Sequence, residues 1–170
     1  MSINQVEAEK SNLASNIPFV FLDQSERVIF SSPTARQSLC LSLMDCKIGQ
    51  VNITAKNGTL FLTNKRLIYM TGSQGDINNF QIILKDASSL RFSHELKSPL
   101  LGANYWEFVF FSSAGGPSNM SPKDQWFKGQ IKFNDSGIFN FIQKFDEVLH
   151  DSINNQNVDE ELPRYTPTIQ

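Results

Sequence analysis

Cysteine is scarce in this chain. Cys40 and Cys46 are the only two in 170 residues, too few for a disulfide framework. They read as reduced thiols in a reducing compartment. Neither has a neighbouring histidine to lower its pKa and make it a nucleophile. Histidine is equally sparse: His94 and His150 stand 56 positions apart, with no cysteine or acidic spacing that makes a metal site. No apolar run approaches the ~20 residues of a membrane-spanning helix. The opening MSINQVEAEKSNLASN has neither a basic nor an apolar region, so it does not read as a secretory signal. Charge of one sign is also missing: 15 Lys and Arg against 17 Asp and Glu give a net charge of -2. That balance argues against a broad nucleic-acid surface and leaves room for a local basic patch. Neither Gly115-Gly116 nor the Gly72 to Gly75 stretch matches a phosphate-cradling loop. With no convergent nucleophile and base, the chain does not read as an enzyme, and no cofactor or metal is expected. A cytoplasmic protein follows from these exclusions.

What is abundant is phenylalanine, 14 residues, which favours strands and a sheet core. Residues 1–16 are polar and aperiodic and predict a loose N-terminal arm. IPFVFLDQSERVIFSS reads as strand, turn, strand, with Asp23 to Glu26 at the bend. Leu39, Leu41 and Leu43 repeat at period two, a strand in preference to a short helix. The clearest signal is GTLFLTNKRLIYM from Gly58 to Met70. Gly58 allows a bend, Leu60 and Leu62 share one face with Phe61 on the other, and Asn64 tolerates the positive φ of a tight turn. Both arms are apolar on both faces, so this hairpin should lie within a sheet that something covers.

FQIILKDASSLRF gives one or two further strands, broken near Asp86 to Ser88, and HELKSPLLGANY reads as a turn-rich connection in which Gly102 and Asn104 serve the turn. WEFVFFSS alternates Trp106, Phe108 and Phe110 with Glu107, Val109 and Phe111, and WFKGQIKF places Lys128 and Lys132 on its polar side. Trp106 and Trp126 fall at strand starts, as core or rim residues. The period then changes. Ile138, Phe141, Ile142, Phe145 and Leu149, extended by Val148, form one helical stripe that Asp135 or Ser136 can cap. From residue 151 the chain turns polar and acidic, a disordered tail by composition. About seven strands and one amphipathic helix make a mainly β domain closed by a helix.

NGTLFLTNKRLIYM resembles the signature of GRAM domains, and SPLLGANYWEF resembles the Pro-x-x-Gly-Ala-Asn-Tyr segment of the WW-domain-binding-protein-2 family, with the Gly115-Gly116 loop and the Trp126 to Phe133 strand following in order. The resemblance covers about residues 25–150. It implies a PH-like, partly open barrel of about seven antiparallel strands over residues 17–150, closed by the C-terminal helix. It also implies a non-enzymatic adaptor, with transcriptional coactivation in the nucleus as a family-level extension. Many members carry Pro-Pro-x-Tyr motifs in a long proline-rich tail that WW domains bind. Here that tail is missing, but Leu162-Pro163-Arg164-Tyr165 is a Leu-Pro-x-Tyr variant of the same ligand. Pro163 fixes φ near the polyproline II value, Leu162 and Pro163 can stack in an aromatic groove, and Tyr165 can fill a second pocket. A WW-domain protein, such as a HECT-type ubiquitin ligase, is the partner so implied. Thr166-Pro167 follows, where a phosphate would add charge beside Tyr165. The alternative is a phosphoinositide-binding membrane-recruitment module, with Lys47, Lys56, Lys65 and Arg66 gripping the head group.

Overall fold

The computed structural model describes residues 1–8, 17–45, 47–72 and 75–161, with side chains as far as 155. Among these residues nine strands precede one α-helix: β1 (Ser2–Ile3), β2 (Val28–Ser31), β3 (Gln37–Leu43), β4 (Asn52–Thr63), β5 (Arg66–Thr71), β6 (Asn79–Ile83), β7 (Ser93–Lys97), β8 (Tyr105–Ser112), β9 (Gln125–Phe133) and α1 (Ile138–Glu161). All pair antiparallel in one sheet of order β1-β6-β5-β4-β3-β9-β8-β7, with β2 beside β4. The sheet is not closed; β1 and β7 are its edges.

The long strand β4 is the spine. Its first half pairs with β3, from Ser42 opposite Asn52 to Gln37 opposite Gly58, and its second half pairs with β5, from Gly58 opposite Thr71 to Leu62 opposite Leu67. Gly58 stands at the changeover, inside the strand. Its missing side chain makes room for Tyr69, whose ring Cζ lies 2.4 Å from where a Cβ would be. The Tyr69 hydroxyl then donates to the Gln37 carbonyl at 2.8 Å, and burial pushes its pKa up. The expected bend at Gly58 is therefore a packing space.

Alternation places the core as the sequence pattern requires. Leu60, Leu62, Leu67 and Tyr69 face the main cluster with Leu39, Leu41, Trp106, Phe108, Phe110, Phe127 and Ile131. The helical stripe lies over it, with Ile138, Phe141, Phe145 and Val148 buried and Ile142 and Leu149 half-buried. Phe141 packs on Trp106 at 5.1 Å and Phe145 at 4.9 Å, both edge to face. The other face of the hairpin is covered too: Phe61 and Ile68 pack with Val6 and Phe19 in a second, smaller cluster.

That cover corrects the expectation of a loose arm for residues 1–16. Ser2–Ile3 pairs with β6, Met1 and Val6 are buried, and Ala8 bridges Phe19. The hairpin's second apolar face has to be covered, and this segment covers it; residues 9–16 lie outside the described part. Other details also differ. The segment read as a turn-rich connection contributes β7, because His94 and Leu96 point inward against Trp106 and Phe108. Asn64 does not take positive φ; its side chain instead accepts from Arg27 N–H at 2.8 Å and donates to the Ser25 carbonyl at 3.0 Å, tying the hairpin turn to the chain before β2. Asp135 does not cap α1, because its carboxylate accepts from Thr34 Oγ1 at 2.6 Å and pairs with Arg36 at 3.3 Å. Gly137, at φ 105°, leads into the helix. Finally, α1 runs eleven residues into the stretch expected as a disordered tail, to Glu161, since extending a helix already anchored by packing is far easier than starting one.

Candidate functional site

Of the four cations predicted to grip a head group, Arg66 is withdrawn from solvent, 2% exposed. Its guanidinium Nε donates to Glu26 Oε1 at 2.8 Å, Nη2 to Glu26 Oε2 at 3.2 Å and Nη1 to Gln81 Oε1 at 3.1 Å, and it stacks 5.3 Å from the Phe19 ring centre. Glu26 also accepts from Thr63 Oγ1 at 2.7 Å, and Thr63 Oγ1 accepts from Arg66 N–H at 2.9 Å. Every charge in the group is met, as buried ions require. This arginine fastens the chain before β2 onto the hairpin and corrects its assignment to a ligand.

The three lysines do not converge. Lys47 precedes β4 and Lys65 follows it; twelve strand residues between them span about 40 Å. Lys65 pairs with Asp23 and holds that carboxyl well below its usual range. It borders a groove of about 620 Å³ between the hairpin turn, the end of β6 and α1, with Leu22, Asn64, Lys85 and Ser152 also lining it. Lys56 lies on the outer face of β4, beside a groove of about 400 Å³ that it shares with Ser38, Cys40 and Lys132.

His94 sits where β7 meets α1. Its Nδ1 accepts from Trp106 Nε1 at 3.2 Å, which leaves Nε2–H to face Asp146 at 3.3 Å. Burial lowers its pKa from 6.5, and Asp146 opposes that more weakly. Protonation would put two donors, Nδ1–H and the indole N–H, against each other. The folded pKa lies below the unfolded one, so the contribution of this site is fully present above pH 6.5 and is lost as the pH falls through the folded pKa. The expected result is a urea midpoint that declines below pH 6.5, and a smaller decline in His94→Gln; equal declines in both would discard the assignment.

Among the described residues no group of three or more His, Cys, Asp or Glu could hold a metal, and no helix is long and apolar enough to cross a membrane. Cys40 is half-buried, and Cys46 lies outside the described residues, as do Leu162, Pro163 and Tyr165. Among the described side chains of α1 the last buried one is Val148, Leu149 and Ser152 are half-buried, residues 153–155 are exposed, and the helix ends at Glu161. Thirteen residues of helix carry the chain about 20 Å past Val148.

One surface escaped the sequence reading. Leu100 and Leu101, between β7 and β8, are 100% and 89% exposed. The signal was two adjacent leucines after Pro99 in a turn-rich segment, read only for its turn residues.

No family model matches the chain. A UPF0664 stress-induced protein of Schizosaccharomyces pombe is 32% identical over 122 residues, 66% of this chain. The match spans 63% of that relative's length, less than two thirds. Among solved structures, the Vps36 N-terminal PH domain superposes with a TM-score of 0.53 over 88% of this chain and 93% of that one, at 21% identity. The fold is PH-like. A PH-like sheet with a C-terminal helix is what the resemblance implied, here with nine strands, because the first strand is split at residues 32–36 and Ser2–Ile3 adds an edge.

Proposed function

We propose that this chain is a non-catalytic adaptor: the PH-like body is a scaffold, and Leu162-Pro163-Arg164-Tyr165 is a docking segment for a WW domain. The observation that carries the reading is one of chain order: Leu162-Pro163-Arg164-Tyr165 follows Glu161, the last residue of α1, and so comes after every strand and helix of the described body. A linear motif must be accessible to be read, and Pro163 lowers the ordering cost of binding. The cation set of the head-group alternative is dispersed by the fold and loses Arg66 to Glu26, which favours the tail. By resemblance to the WW-domain-binding-protein-2 family, the partner is a WW-domain protein such as a HECT-type ubiquitin ligase. The composition of the sequence argues for a cytoplasmic adaptor, and the same resemblance implies coactivation in the nucleus as its extension. In domain terms the body covers residues 17–150, with residues 1–8 bound to it, and the docking segment lies beyond α1.

Calorimetric titration of the full chain with a panel of WW domains tests this. Saturable one-to-one binding is expected, weakened at least about tenfold by Tyr165→Ala, because the ring is the anchor. Absence of binding across the panel, or equal binding by the variant, would reject the reading.

A further inference from the structure

Leucine left fully in water forgoes its burial free energy, and adjacent exposed apolar side chains rimmed by polar residues are a feature of contact sites. Leu100 and Leu101 stand exposed side by side on the loop between β7 and β8, which Pro99 and Gly102 shape, the latter at a φ of 116° that favours glycine. Strand pairing orders what stands behind them. Lys97 lies opposite Tyr105, and Tyr105 opposite Lys132, so the first row behind the loop is cation, aromatic, cation. The Lys132 ammonium lies 5.9 Å from the Tyr105 ring centre. One row further back, Glu95 stands opposite Glu107 and Glu107 opposite Gln130; both glutamates bond Lys97 from behind. Lys56 extends the basic row across the groove it shares with Lys132. The start of α1 leaves the sheet at this same end with Phe139 65% exposed.

From tip to base the order is apolar, then aromatic and basic, then acidic. That is the order of a segment seated in a membrane interface, where tyrosine and lysine take the head-group level above buried apolar side chains. We infer that this end of the sheet is a membrane-contact surface, in which Leu100 and Leu101 enter the apolar layer of an anionic bilayer while Lys56, Lys97 and Lys132 face its head groups. A fluid bilayer needs no matching cavity. A protein partner would ordinarily need roughly 800 Å² of complementary surface, and a two-leucine tip offers little of that. The net charge of -2 makes the attraction local to this row and sensitive to salt. The inference does not depend on the tail.

The test is flotation of the full chain with phosphatidylcholine vesicles, with and without phosphatidylserine. Binding is expected only with phosphatidylserine, weakening as salt rises. Leu100→Ser with Leu101→Ser should weaken it about tenfold or more, and Lys56→Glu with Lys132→Glu should remove the phosphatidylserine dependence. All four positions are exposed or at the rim, so the melting temperatures should match wild type. A Leu100→Trp variant should be quenched by brominated acyl chains. Tyr165→Ala should float as wild type, which separates this outcome from that of the tail. No flotation, flotation unaffected by the serine pair, flotation that requires a phosphoinositide, or a leucine-dependent dimer by light scattering would each overturn the inference.

Discussion

Replacing Glu26 with leucine is expected to cost about 3–5 kcal/mol of folding stability, because it strands a buried guanidinium. Arg66 makes three of its side-chain contacts through Glu26 and Gln81, and the Glu26 side chain has no solvent exposure. Without the carboxylate the positive charge must stay unpaired in an apolar setting beside Phe19 or pull the chain before β2 off the hairpin. For a chain of this size the loss corresponds to a fall in Tm on the order of 10 °C. The double change Glu26→Leu with Arg66→Met should recover much of it, since removing both charges abolishes the desolvation cost as well as the attraction. Urea unfolding of the two singles and the double closes the cycle. If the single and double changes cost the same, the pair is not what fastens this segment. Thr63 would remain bonded to the Arg66 backbone in each variant, so the turn itself should persist.

Gly129→Val should be as damaging, at about 3 kcal/mol or more, through overpacking. The position lies in the middle of β9, where a Cβ would sit 2.0 Å from Cζ of the Phe108 ring. That ring cannot step aside. It is stacked on Phe80 at 5.7 Å and on Phe92 at 6.0 Å, and lies 4.8 Å from Trp106. Phe108 is directly opposite Gly129 in the strand pairing, so glycine here is a socket for the facing ring rather than a flexible point. Pairing the change with Phe108→Leu should restore part of the loss. Equal unfolding midpoints for Gly129→Val and wild type would show that the ring has room the structure does not give it.

The first of these effects shows how far the hairpin signature could be read in advance. Its two apolar faces were visible at Leu60, Phe61 and Leu62, and from them the need for a cover. Nothing in the residues told that the polar-looking start of the chain was part of the cover, because Val6 is an isolated apolar residue there and carries no period. Arg66 looked like a surface cation for the same reason: Glu26 is forty positions away, and only folding brings the two together.

Periodicity alone determined the inward faces of β3, β8 and β9 and the stripe of α1, since these are local properties of a strand or a helix. The tertiary structure decided the rest. It set Lys47 and Lys65 at opposite ends of β4, buried Arg66, made a strand of Ser93–Lys97, and left Leu100 and Leu101 bare above a row of lysines drawn from three strands. Charge pairing and burial are set by which strands become neighbours, and that depends on contacts between residues far apart in the chain, which no local pattern encodes.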